Sequence, residues 1–212
     1  MASAPERILG LFSGSHMAYE LDRTGQNLDQ PSLAEMANVA LDILERNPRG
    51  YFLLIEAGRV DHALHNTNAR RAIVDLLAAD EALGLLLDRT NPEEDLVLFT
   101  ADHDHTLVIA GYPDVRQDVF AVAGTDLHNR PYTTLLFATG NSPAPADTLE
   151  PRDLANPDYR ERSGVPLRSE AHGGMDVPLY AFGPRWLLDR IPGTADNTWI
   201  FGYLREAMTG AR

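Results

Sequence analysis

The chain has 212 residues, is 44% hydrophobic and 23% charged, and carries a formal net charge of −13 with no cysteine. That length suits one globular domain or a large part of a bigger one, and the composition excludes a disordered chain. The acidic balance argues against a nucleic-acid partner, and without cysteine there are no disulfides or thiolate ligands, so any zinc must be held by His with Asp or Glu.

The opening MASAPERILG has neither a basic n-region nor an apolar core, so no signal peptide is expected there. No later stretch approaches the ~20 apolar residues of a membrane span. From Ser32 to Arg46, apolar Leu33, Met36, Ala37, Ala40, Leu41 and Leu44 recur at spacings of three and four, which predicts an amphipathic helix stopped by Asn47 and Pro48. Phe52 to Glu56 then reads as a buried strand. Asp61 and His65 follow at i, i+4, so one turn of helix puts both side chains on one face.

A second helix is predicted from about Thr67 to Arg89, on the pattern of Ile73, Leu76, Leu77, Ala82, Leu83, Leu86 and Leu87. Leu96 to Thr100 follows as a buried strand, and the strand, helix, strand order predicts an α/β fold with a mostly parallel central sheet. Residues 104–131, punctuated by Gly, Asp and Pro, read as loops and short strands crowning a sheet edge. Residues 132–140 are a further strand. The stretch 141–170 contains Pro143, Pro145, Pro151, Pro157 and Pro166 without an apolar period, so a long surface excursion is expected. Val177 to Phe182 is the last strand, and a helix from about Asn197 to Met208 closes the chain.

Three signatures stand where these apolar runs end: Glu56, Asp61 and His65 in IEAGRVDHALH, Asp102 and His103 in FTADHDH, and His172 in SEAHGG. Open α/β sheets bind ligands just outside strand ends, and carboxylates with imidazoles collected there suit zinc or magnesium. Glu56 ends a strand of apolar residues, where its carboxylate needs a cation, either a metal or Arg59. Asp102 and His103 are neighbours, which reach one metal together only past the strand's end. Gly173 and Gly174 let the backbone beside His172 approach closely. His105 and His62 are read as residues behind the ligands, orienting them by hydrogen bonds.

From about Arg7 onward the chain resembles the C-terminal half of an alkaline phosphatase, on the segments LGLF, PSLAEM, ALDILERNPRGYFLLIEAGRVDHALH, TADHDHT, YRERSGVPL, SEAHGG and GGMDV. The resemblance implies part of a three-layer α/β sandwich, with residues 1–212 as one portion of a single domain. It implies two zinc ions and one magnesium: Asp61, His65 and His172 on the first zinc, Asp102 and His103 on the second, Glu56 on magnesium. It also implies hydrolysis of phosphate monoesters through a covalent phosphoserine, a homodimer, and a periplasmic or extracellular location.

This sequence departs from the family in several places. No Asp-Ser-Ala segment occurs in it, so no catalytic nucleophile is assigned, and the serine and the phosphate-binding arginine are expected from an N-terminal half. The isolated chain is then expected to be inactive, with a sheet edge and apolar faces exposed. Ser13 and Gln30 stand where relatives with an extra calcium site carry acids, so calcium is not expected. Two alternatives stay open: a non-catalytic metal-binding module, and a phosphodiesterase or sulfatase of the same superfamily.

Overall fold

The computed structural model describes residues 6–210. Helix α1 spans Glu20–Gly25 and α2 spans Leu33–Leu44. Ser32 opens α2 with a capping box: its hydroxyl accepts from the Glu35 amide at 3.1 Å while the Glu35 carboxylate accepts from the Ser32 amide at 2.7 Å. Helix α3 covers Arg59–His65 and α4 covers Ala69–Arg89, where the Asn68 side chain accepts from the Arg71 amide. Ala37 and Leu41 of α2 are buried, as are Ala72, Ala79 and Ala82 of α4, and these small residues let the two helices pack closely.

The strands among the described residues are β1 (Val97–Thr100), β2 (Asp104–His105), β3 (Leu107–Ile109), β4 (Val122–Thr125), β5 (Pro131–Thr133), β6 (Leu135–Gly140), β7 (Ser163–Pro166), β8 (His172–Gly173) and β9 (Leu179–Phe182). Short helices α5 (Pro151–Ala155) and α6 (Arg185–Leu188) lie between them, and α7 (Trp199–Thr209) closes the chain. Strand β1 pairs with β9, β2 with β8 and β4 with β5, while β3, β6 and β7 form one sheet. A small core of Ala69, Leu135 and Phe137, flanked by Leu64, Ile73, Leu107 and Phe120, joins the start of α4 to β6.

The chain is α/β, as its periodicity indicates, with two corrections. Among the described residues only β6 and β7 run parallel; the other pairs are antiparallel. Parallel neighbours need a long connection, and the stretch carrying α5 supplies it between β6 and β7. The run Phe52 to Glu56 forms no ladder. Its exposure alternates as a strand's would, with Phe52 and Leu54 outward at 55% and 79%, yet no strand among the described residues pairs with it. Ile8, Leu9 and Leu11 are exposed in the same way.

The excursion 141–170 is anchored rather than loose. Asn68 donates to the Pro157 carbonyl at 2.7 Å, the Glu161 amide donates to the Thr67 carbonyl at 2.9 Å, and the Glu161 carboxylate accepts from the Ala69 amide at 2.9 Å. Glu161 is 2% exposed, and burial pushes its carboxyl up to about 7 against the opposing hydrogen bond from Ala69. Its folded value lies above the ordinary 4.5, so the native state holds the extra proton between those values. The contribution of this one group to stability is therefore greatest below about pH 4.5 and declines as pH rises towards 7, by roughly 3 kcal/mol. Asp75, pushed by burial up to about 6, adds a slope of the same sign. Glu161→Gln is expected to flatten the pH 5–8 dependence of the urea midpoint and to raise it at pH 8; an unchanged slope would contradict this.

Candidate metal centre

Helix α3 begins directly after Ala57 and Gly58, and its single pair of turns carries Asp61 and His65 on the same face, with Asp61 Oδ1 3.4 Å from His65 Nε2. Strand β2 meets β8 with Asp104 opposite Gly173 and His105 opposite His172. A side chain on residue 173 would collide with the Asp104 carboxylate, so glycine permits this pairing. Three distant segments thus deliver their polar groups to one place.

Asp61 Oδ1 is the centre of the group. It lies 2.9 Å from His105 Nε2, 3.4 Å from His65 Nε2, 3.7 Å from His172 Nε2 and 3.8 Å from His103 Nε2. Ligand atoms of Asp61, His65, His105 and His172 all lie within 4.8 Å of one another. The Nε2 atoms of His65 and His172 face each other at 3.2 Å, and the rings of His103 and His172 stack at 3.6 Å. Imidazoles crowded this way repel one another when protonated. A carboxylate with neutral imidazoles and no thiolate is the donor set of catalytic zinc sites, so the residues present fit such a cation.

The ring nitrogens pointing away from Asp61 are also engaged. His65 Nδ1 meets the Glu170 backbone carbonyl at 2.7 Å, and His105 Nδ1 meets the Glu170 carboxylate at 2.6 Å. Partial burial raises the Asp61 carboxyl, but the His105 hydrogen bond and the neighbouring imidazoles outweigh it and hold the group below its usual range. Desolvation, then His16 and Arg59, hold His62 below its ordinary value.

The remaining sequence candidates lie around this centre. His62 packs instead against the tilted His16 ring at 4.2 Å and meets Arg59 Nη1 at 3.1 Å. His103 reaches the edge of the group, whereas the Asp102 side chain is 88% exposed and pairs with His103 at 3.3 Å. Glu56 is exposed and has no ion-pair partner among the described residues, because Arg59 lies over the Tyr19 ring at 3.6 Å. His105 comes closer to Asp61 than any other imidazole. Glu170 and Thr106, which support the group from behind, escaped sequence reasoning. Glu170 stands two residues before His172, but nothing in its spelling marks a buried carboxylate.

An alkaline phosphatase family model matches residues 1–209. The tissue-nonspecific alkaline phosphatase of Gallus gallus is 39% identical over 185 residues, covering 84% of this chain and 35% of its own length. A membrane-bound alkaline phosphatase of Bombyx mori is 37% identical over 190 residues, covering 86% of this chain and 34% of its own. Among solved structures, a mutant of TAB5 alkaline phosphatase with magnesium bound is similar at a TM-score of 0.54 and 18% identity, over 83% of this chain and 41% of that one. The chain spans about a third of the length of the curated relatives it matches.

Proposed function

Since this chain belongs to the alkaline phosphatase family, we propose that it supplies the metal-holding part of a phosphate monoester hydrolase. The observation that carries this reading is the gathering of Asp61, His65 and His172 from α3 and β8, with ligand atoms within 4.8 Å. These three would hold one zinc. His103, with Asp102 turned inward from its exposed position, would hold a second, and Glu56 would hold magnesium. Bound divalent cations would attract the dianionic phosphate and stabilise charge developing on its oxygens.

The chain's own residues have separate tasks. Asp61 supplies the central anionic oxygen. His65 has Nδ1 fixed on a carbonyl, so its Nε2 keeps a lone pair for a cation. His105 has both nitrogens on carboxylates and therefore holds Asp61 in place rather than binding metal itself. His62 and His16 line the outward side of α3. The net charge of −13 repels an anionic substrate, which makes cations at this centre a condition of binding.

The attacking hydroxyl is assigned elsewhere. Ser169 donates its proton to the His65 carbonyl at 3.2 Å, which directs it to backbone rather than to a base. The nucleophile and the phosphate-binding arginine belong, in this proposal, to an N-terminal half, and these 212 residues alone do not turn over. A homodimeric assembly and a periplasmic or extracellular location belong to the same proposal and rest on family membership.

The test pairs two measurements. Zinc affinity of the 212-residue chain is measured by competition with a chromophoric chelator, and binding without hydrolysis of nitrophenyl phosphate is expected. The chain joined to a family N-terminal half is then assayed on nitrophenyl monoester, diester and sulfate. Monoester preference, abolished by chelator and restored by zinc, is expected; preference for diester or sulfate overturns the assignment.

A further inference from the structure

We propose that Glu170 is the positioning residue of this metal centre, fixing two histidine rings from a single point in the chain. The inference rests on the metal-dependent reading above. Glu170 has no exposed side-chain surface. Its carboxylate accepts from the Thr106 amide at 2.6 Å, the Thr106 hydroxyl at 2.7 Å and His105 Nδ1 at 2.6 Å. Its backbone carbonyl meets His65 Nδ1 at 2.7 Å, and its amide donates to the His65 carbonyl at 2.9 Å.

The consequence is a fixed ring plane at both histidines and a fixed tautomer at His65. The carbonyl facing His65 Nδ1 requires the proton there, and the Glu170 acceptors aim Nε2 of each ring at Asp61 Oδ1, at 2.9 Å for His105 and 3.4 Å for His65. The Glu170–His105–Asp61 chain then fixes which way the Asp61 carboxylate presents its oxygens. His172 lies two residues further on, so the same anchor sets the start of the β8 ligand. Packing alone does not call for a carboxylate here. Burying one is costly unless several donors surround it, and the donors found at Glu170 include the imidazole that supports Asp61.

Glutamine at this position would put an amide N–H against either Thr106 or His105, donor against donor. Glu170→Gln is therefore expected to weaken zinc binding of the 212-residue chain by about 10- to 100-fold, the usual effect of losing such an outer hydrogen bond. Nitrogen-15 NMR of the metal-free protein should show the Nδ1 signal shifted at His105 but kept at His65, whose partner is backbone. The double variant Glu170→Gln/His105→Ala should bind zinc no more weakly than His105→Ala, because both act through one linkage. Additive losses, or a folded Glu170→Gln protein with wild-type zinc affinity and an unchanged His105 Nδ1 signal, overturn the proposal.

Should Glu170→Gln fail to fold, His105→Ala and Thr106→Val decide the matter. His105→Ala should weaken zinc binding by about 10- to 100-fold, while Thr106→Val, which removes a different hydrogen bond from the same carboxylate, should leave it within about threefold. The reverse order overturns the positioning role. Absence of zinc binding by the wild-type chain overturns the metal-dependent reading itself, a result distinct from any ranking among the variants.

Discussion

Replacement of Asp61 by alanine is expected to lower zinc affinity by on the order of 10²- to 10³-fold, since a site worth ~10–16 kcal/mol loses about a quarter of its ligation. The size of the effect follows from geometry. One atom, Asp61 Oδ1, has the Nε2 atoms of His105, His65, His172 and His103 between 2.9 and 3.8 Å away. Without it the Nε2 atoms of His65, His105 and His172 lose the carboxylate oxygen they share, and His105 loses its partner on Nε2. Asp61→Asn should fall between alanine and wild type, because an amide oxygen can still ligate but carries no charge. Chelator competition on the folded variants measures both. Wild-type affinity in Asp61→Ala would mean that zinc sits elsewhere.

The largest expected effect on stability is that of Gly140→Ala. Gly140 ends β6 at φ +155°, a conformation rarely open to residues with a side chain. An added Cβ would overlap the Thr67 Cγ2 methyl, while meeting Ser163 and Glu170 only at ordinary contact distance. Thr67 cannot retreat, since it is fully buried, holds φ at +54° and accepts from the Glu161 amide through its carbonyl. Backbone strain and overpacking together predict a loss of about 3–5 kcal/mol, read as a fall in the urea midpoint. Zinc affinity should fall as well, because Thr67, the residue that must give way, lies two residues beyond His65. Gly84→Ala is the matching control. Gly84 lies inside α4 with open space around its Cα, and alanine there should be neutral or stabilising by up to ~1 kcal/mol. Equal losses at both positions would refute the steric account.

Much of this was legible in the residues. The three- and four-residue apolar spacing of α2 and α4 reflects a property of one segment, the face it buries, and both helices lie within a few residues of the expected bounds. Asp61 and His65 were readable as a pair for the same reason, since i, i+4 contact is local to a helix. The run Phe52 to Glu56 shows the limit. Its alternating exposure is a local property, whereas a ladder requires a second strand beside it. Strand direction had the same limit, because β1 and β9, which pair antiparallel, lie far apart in the sequence and carry no mark of each other.

By itself the sequence determined which residue types were available: carboxylates and imidazoles without thiolates, an acidic surface, and motifs that place the chain in a family. Only the tertiary structure decided that His105 holds Asp61 from behind, that Asp102 and Glu56 face solvent, and that Glu170, spelled no differently from any surface acid, is buried against Thr106 and His105. Local spacing fixes what one helix or strand presents. Hydrogen bonds between residues 40 or 100 positions apart depend on how the segments dock, and no single segment encodes that.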